Sequence, residues 1–459
     1  MIDHKKLGNW PFHPKKWPFF YGWMIIISGT VGITMSIPGQ TMGVSTFTDS
    51  LIEVMGMSRT QLSFAYMCGT VLSASMLTWV GQKYDKHGAR PIALISSLAL
   101  GVVLIYLSQV DTVQSLFGAD GSSMVVNFII MCSGFFALRF SGQGALTLVS
   151  RNMMMKWFEK RRGFAMGFSN VATSLTFASA PVLFELLIQS YAWDGAWMIL
   201  AVITGFVFPF FVVTFFRDDP ENSGLKPDGD FVESQKSKAN RFPVVRDFTL
   251  AEAQRTLGFW IFALMLAMQA LYWTGLTFNI VSVFELAGYS RETSVSIFLP
   301  SSIIAICVTL GVSSLSDHIK LKYLLYIMGV GSCTALIGMI FLGEGHLVVP
   351  RLGEIDVFFY LLVLGNGVMM GLYAVILSVT WPRFYGKAHL GAISGRAITM
   401  VVVGSALGPM LFSESLAWFG SYTFAGWVCF GLYVVLTILS IWANNPQEKL
   451  RAKVKTNDD

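Results

Sequence analysis

One arginine stands inside the apolar stretch FFALRFSGQGALTL, Phe135 to Leu148. Arg139 follows Val125 by 14 residues and precedes Arg151 by 12, which places it roughly 21 and 18 Å from the two ends of a helical run. A guanidinium at that depth costs about 3 kcal/mol on insertion scales, so it faces other helices or a water-filled cavity rather than lipid. Two kinds of chemistry suit it. Its planar fork can hold a carboxylate or phosphate bidentately, or tune a neighbouring acid. It can also join helices through carbonyls or polar groups such as Gln40. The first is favoured, because intramembrane ionisable residues usually mark a transport path.

Arg396 is the second basic residue inside an apolar run, six residues from its start and roughly 9 Å deep. It can serve as a second anion ligand or snorkel to the interface. Carboxylates are absent from mid-run positions: Asp49, Glu185, Glu285 and Glu414 all fall near one set of ends. A cavity with arginine and no facing acid favours an anionic substrate over a cationic one. Neutral side chains able to read such a ligand are Gln40, Tyr66, Gln143, Asn170, Gln269, Asn279, Asn366 and Tyr373. Each alone more often makes an interhelical hydrogen bond, worth about 0.6 kcal/mol on average.

Other chemistries find little support. The five cysteines, Cys68, Cys132, Cys307, Cys333 and Cys429, lack CxxC spacing and fall inside apolar runs, as small packing residues do. The six histidines show no HExxH spacing. Neither a metal nor another cofactor is expected, and no nucleophile or paired acids at suitable depth suggest an enzyme.

These side chains must be positioned by membrane helices. Of 459 residues, 54% are hydrophobic and 13% charged, and mean hydropathy is +0.60. Runs of about 20 apolar residues, enough to cross a bilayer core about 30 Å thick, begin near Phe20, Gln61, Pro91, Val125, Gly163, Gly195, Gly258, Ser294, Leu321, Val357, Leu390 and Tyr422. The expectation is an all-α integral membrane protein with twelve transmembrane helices. The first run follows a charged tail without a small-residue cleavage site, and so reads as a retained helix.

Charge sets the orientation. Counting the tails and alternate loops on one side gives 27 Lys and Arg, against only Arg59, Arg291 and Arg351 on the other; the remaining two are Arg139 and Arg396. That asymmetry puts both termini in the cytoplasm of a multi-pass plasma membrane protein, an inner membrane if bacterial. The net charge of +5 is thus a topology signal and implies no nucleic-acid partner. The Pro-, Gly- and Ser-containing segment from Arg217 divides six spans from six. The expected parts are a tail, 1–19; a six-helix bundle, 20–216; a linker, 217–257; a second bundle, 258–443; and a tail, 444–459.

The halves share a pattern. GMSRT at Gly56 recurs as GYSRE at Gly288, a shift of 232 that also carries Asp85 onto Asp317 and Arg90 onto Lys322. A shift of 228 carries Gly163, Gly167 and Pro181 onto Gly391, Gly395 and Pro409. Three matches in one order indicate two parallel six-helix repeats, an architecture of transporters whose substrate site lies near the midplane between repeats.

The turn GQKYDKHGAR, Gly81 to Arg90, resembles the G-x-x-x-D-[RK]-x-G-x-[RK] loop motif of the major facilitator superfamily. The resemblance implies a gating role for Gly81, Asp85, Gly88 and Arg90, with Asp85 the most sensitive and Asp317 its counterpart in SSLSDHIKLK. Arg139 also stands where that superfamily carries an R-x-x-x-G motif in span four. WFEKRRGFAMGFS, Trp157 to Ser169, is similar to the monocarboxylate transporter signature, and FYGWMI and PGQTMGVSTFTDSL resemble span one of those proteins and of oxalate:formate exchangers. Two departures stand out. The lysine those transporters carry after the span-one proline is replaced by Gly39 and Gln40, and SVSIFLPSSIIAICVTLGVSS lacks their acid and arginine of span eight.

Spans one, four, seven and ten line the cavity in this superfamily, which gives Arg139, Gln40, Gln143, Gln269, Asn279 and Asn366, with Tyr373 and Arg396, as candidate substrate ligands. The expected function is secondary active transport of a small organic anion, mono- or dicarboxylate-like, by alternating access. A coupling proton or counter-anion would be its co-substrate, the lipid bilayer its surroundings, and a monomer its working form. The alternatives are proton-driven efflux of an amphipathic compound and a non-transporting receptor of the same fold.

Overall fold

The computed structural model describes residues 10–117, 123–229, 242–349, 353–448 and 450–451. Most of the N-terminal tail's charge, the middle of the linker, Arg351 and the C-terminal end of the second tail lie outside these residues.

Among the described residues, ten helices are long and apolar enough to cross a membrane. One of them, Arg162–Phe215, has 54 residues, which at 1.5 Å per residue is about 80 Å and far more than one crossing needs. The chain leaves helical geometry inside it at Ala192, φ 59° and ψ 174°, so this stretch supplies spans five and six. The first apolar run forms a helix of only 14 residues, Gly22–Met35, because Pro38 and Gly39 break it into a 3-10 turn, Ile37–Gly39, before Thr41–Thr46 resumes. Counting the divided helix twice and adding this interrupted one gives twelve spans.

The expected all-α fold has one exception among the described residues. His346–Val349 and Gly353–Asp356 pair as a short antiparallel hairpin between spans nine and ten. No strand was expected there because two four-residue strands are too short to show a period of two.

The chain divides into two compact units. One comprises Met1–Ala239 with Lys387–Thr399, the other Asn240–Gly386 with Met400–Asp459. Within the first, backbones meet where side chains are missing: a Cβ on Gly101 would collide with Gly205, and Gly39 and Gly142 touch. Within the second, Gly338 and Gly365 meet the backbones of spans ten and nine in the same way, and Gly408 meets that of span seven. Such close approaches are how membrane helices gain dispersion contact without a hydrophobic driving force.

Candidate functional site

In the first unit the site begins with two departures from regular helix. Span one breaks at Ile37–Gly39, and Gln40 is extended, φ −87° and ψ 160°. Span four widens from Arg139 to Leu146 into a π-helical segment, RFSGQGAL, a feature that recurs at functional sites. The two irregular stretches face each other: a Cβ on Gly39 would lie 2.7 Å from the Leu138 carbonyl and 2.9 Å from Gly142 Cα.

Arg139 is 1% exposed. Its Nη1 donates to the Gly39 carbonyl at 3.1 Å and to Thr41 Oγ1 at 3.3 Å. Tyr66 closes over it, ring centroid 5.3 Å from the guanidinium carbon, and donates its hydroxyl to the same Thr41 oxygen at 3.0 Å. Nε is buried and has no acceptor. Among the described residues no carboxylate pairs with this guanidinium.

Gln40 does not touch Arg139. Its Nε2 donates to Ser36 Oγ and Thr147 Oγ1, both at 3.1 Å, and those hydroxyls lie 2.9 Å apart. Gln143, one π-turn beyond Arg139, has a buried Oε1 without a donor. The structure therefore brings Gln40, Arg139 and Gln143 onto one junction of spans one and four. It adds Thr41, Tyr66, Ser36 and Thr147, of which sequence reasoning considered only Tyr66. The missed hydroxyls had a signal in the PGQT break, since a helix interruption exposes the side chains beside it.

In the second unit, Asn366 is fully buried and accepts from the Tyr272 hydroxyl at 3.1 Å, while its Nδ2 has no acceptor. Gln269 is buried. Asn279 spends its amide on the Gly275 carbonyl of its own helix, 2.9 Å away, and Tyr373 is half-buried. Arg396 belongs with the first unit; it is half-buried and its Nε is buried without a partner.

The loop motif is built differently from a charged turn. Asp85 accepts the N–H groups of Gly391 at 2.7 Å and Ala392 at 2.8 Å, the first turn of the helix Leu390–Phe419, where a carboxylate meets the positive end of the helix dipole. Gly81 is required there because a Cβ would overlap the Gly391 carbonyl. Arg90 does not pair with Asp85; it donates from Nε and Nη2 to the Phe216 carbonyl at 3.0 and 2.9 Å. Gly88 has φ 84°, and the start of span three is capped by Asp218 through the N–H groups of Ala89, 2.5 Å, and Arg90, 3.3 Å.

Asp218 was not singled out from the sequence. Burial and the adjacent Asp219 push its carboxyl above the usual range, against the two backbone donors. Burial, with Arg90 beside it, brings Arg217 down to about 10. Asp219 pairs with Lys156 at 3.2 Å, and Lys387 donates to the Lys156 carbonyl at 2.8 Å. Asn152 and Ser394 exchange hydrogen bonds at 2.8 and 3.0 Å. Residues 387–399 are thus fastened to the first unit by at least three separate side-chain links. Asp317 lies in the second unit, where Arg383 binds the Ser316 and Asp317 carbonyls at 2.6 and 3.4 Å.

The described residues thus combine long apolar helices, a buried polar junction of spans one and four, and a charged loop clamped on a helix start. The Major Facilitator Superfamily model matches residues 30–383, and the chain belongs to that family. It is 25% identical over 189 residues to Monocarboxylate transporter 1 of Bos taurus, covering 39% of this chain and 33% of that protein. With Monocarboxylate transporter 2 of Mesocricetus auratus it shares 24% over 200 residues, 42% and 37% of the two chains. The matches thus span about a third of these relatives' length. The MFS-type transporter YhjX of Escherichia coli strain K12 matches more broadly, 22% over 324 residues, 69% and 71%.

Among solved structures, the E. coli fucose:proton symporter FucP superposes with TM-score 0.59 at 11% identity, covering 92% of this chain and 98% of that one. The proton:xylose symporter XylE superposes with TM-score 0.62 at 16% identity, covering 91% and 94%. At such identities these two show the shared fold alone.

Proposed function

We propose that this carrier moves a small organic anion, a mono- or dicarboxylate, by alternating access. The observation that carries the reading is the state of Arg139. Both bonds the protein gives it use Nη1, and Nε is buried with no acceptor. The guanidinium is thereby fixed in orientation with an edge unspent. A carboxylate on the Nε edge would supply the acceptors and the counter-charge that a cation in a low-dielectric interior otherwise lacks. Gln40 and Gln143 belong to the same junction of spans one and four, and the partial likeness to monocarboxylate transporters supports the same substrate class. Asn366, Gln269, Asn279, Tyr373 and Arg396 are the candidate ligands outside this junction.

The clamp of Asp85 on residues 391–392 is the contact that would open and re-form during the cycle. The 27-to-3 distribution of basic residues supports a cytoplasmic location for both termini in a plasma membrane, the inner one in a bacterium.

The test uses purified protein in liposomes with a panel of labelled organic acids, the panel first narrowed by thermal shift. Arg139→Gln is expected to abolish uptake, and Arg139→Lys to weaken it at least tenfold, because an ammonium cannot reproduce the planar fork. Near-normal uptake by the glutamine variant at equal reconstitution would remove Arg139 from the substrate site.

A further inference from the structure

Basic side chains of the second unit gather at one end of spans nine, ten and twelve. A crevice there is lined by Lys320, Lys322 and Arg383, with Asn444 and Glu448 across from them. Lys320 and Lys322 straddle the start of the 20-residue helix Leu321–Ile340. That helix start has no side-chain cap, and the first N–H groups of a helix have no partner within it. Lys320 Nζ pairs with Glu448 at 3.1 Å, and Lys322 Nζ donates to Asn444 Oδ1 at 2.8 Å and to the Ile441 carbonyl at 3.4 Å. Each ammonium carries three donors, so each keeps at least one for a further acceptor. Arg383 packs on the Phe242 ring at 3.9 Å and is held by the Ser316 and Asp317 carbonyls. Lys320 and Lys322 face one acid, Glu448, across the crevice, and an uncapped helix start adds oriented N–H groups to the same field.

The surroundings identify the source of an anion. Immediately after Lys322, Tyr323, Tyr326 and Ile327 are 56, 44 and 50% exposed on one face of the helix. Across the crevice Ile441 and Trp442 are 51 and 55% exposed. In a membrane protein such a face meets acyl chains, and tyrosine and tryptophan mark the headgroup level. That pattern would put the cations at the height of phosphates, beside a surface suited to chains.

We infer that this crevice binds the phosphate of an anionic phospholipid, held by Lys320, Lys322 and the open helix start, with its chains along Tyr323, Ile327 and Ile441. The site is separate from the Arg139 junction and independent of what the carrier transports.

Native mass spectrometry of the full chain in detergent tests this, with phosphatidylglycerol and phosphatidylcholine added in equal amounts. Wild type should retain phosphatidylglycerol preferentially. The pair Lys320→Gln/Lys322→Gln should reduce that preference about tenfold or more, since each basic residue near the surface strengthens attraction about fivefold. The pair Lys15→Gln/Lys16→Gln, elsewhere on the chain, should leave it unchanged. Should the first pair fail to fold, Lys320→Arg/Lys322→Arg gives the answer: it keeps both charges and should keep the preference. Inorganic phosphate or glycerol phosphate should not displace the lipid. Equal retention of both lipids by wild type, an unchanged preference in the glutamine pair, loss of it in the arginine pair, or displacement by soluble phosphate would each overturn the assignment.

Discussion

Asp356 receives the Tyr289 hydroxyl at 2.5 Å, the Gly343 N–H at 2.9 Å and the Phe358 N–H at 2.9 Å, tying two loop segments of the second unit to the start of span ten. Burial raises its pKa, but these donors together outweigh burial and hold the carboxyl below its usual value. The native state therefore binds a proton less readily than the unfolded chain does. Its stabilisation is present above the ordinary aspartate pKa of about 4 and is lost as pH falls through the lower native value. Thermal unfolding followed from neutral to acid pH should show Asp356→Asn less stable by about 1–3 kcal/mol at neutral pH. The gap to wild type should narrow as the solution is acidified; a constant gap would mean that the ionised form contributes nothing. None of this was legible in sequence, where Asp356 is one more loop acid. Arg139 is the opposite case. Its depth followed from counting residues, whereas its partner, the Gly39 carbonyl, carries no sequence mark because every residue has one.

At the scale of elements, the contact of spans one and four rests on two glycines. A Cβ on Gly142 would lie 2.9 Å from Gly39 Cα and 3.2 Å from the Ser36 carbonyl, and backbone cannot yield as a flexible side-chain tip does. Gly142→Ala and Gly39→Ala should each lower stability by about 1–3 kcal/mol, as overpacking does. Because the Arg139 to Gly39 bond spans the same seam, both should also depress uptake at temperatures where the protein remains folded. Unfolding midpoints and liposome flux on the same preparations check this, and wild-type behaviour of either variant would show that the seam can relax. The helices themselves were legible, since twelve apolar runs predict twelve spans. Their irregularities were partly so. The PGQ break in span one is written in Pro38 and Gly39, but the π-helical widening at Arg139 and the turn at Ala192 arise from packing between segments distant in sequence. The capping of span three by Asp218, about 130 residues away, was hidden for the same reason.

For the whole molecule, the proposed chemistry constrains how transport is coupled. No Asp or Glu lies near the middle of any span, so no carboxylate is placed to relay a proton alongside the substrate. Of the two basic residues well inside the apolar runs, Arg139 is the fully buried one. Moving it through a closed state without a counter-charge leaves a buried cation unpaired, a penalty of about 3–5 kcal/mol, so the empty carrier should reorient a hundredfold or more slowly than the loaded one. An anion bound on each crossing removes that penalty in both directions. On the proposed reading the expected behaviour is one-for-one anion exchange. Uptake of a labelled substrate should therefore be fast only into liposomes preloaded with unlabelled anion, and should persist when an uncoupler collapses any proton gradient. Rapid uptake into empty liposomes that ceases with the uncoupler would point instead to proton symport, with a titratable group other than a mid-span carboxylate carrying the proton.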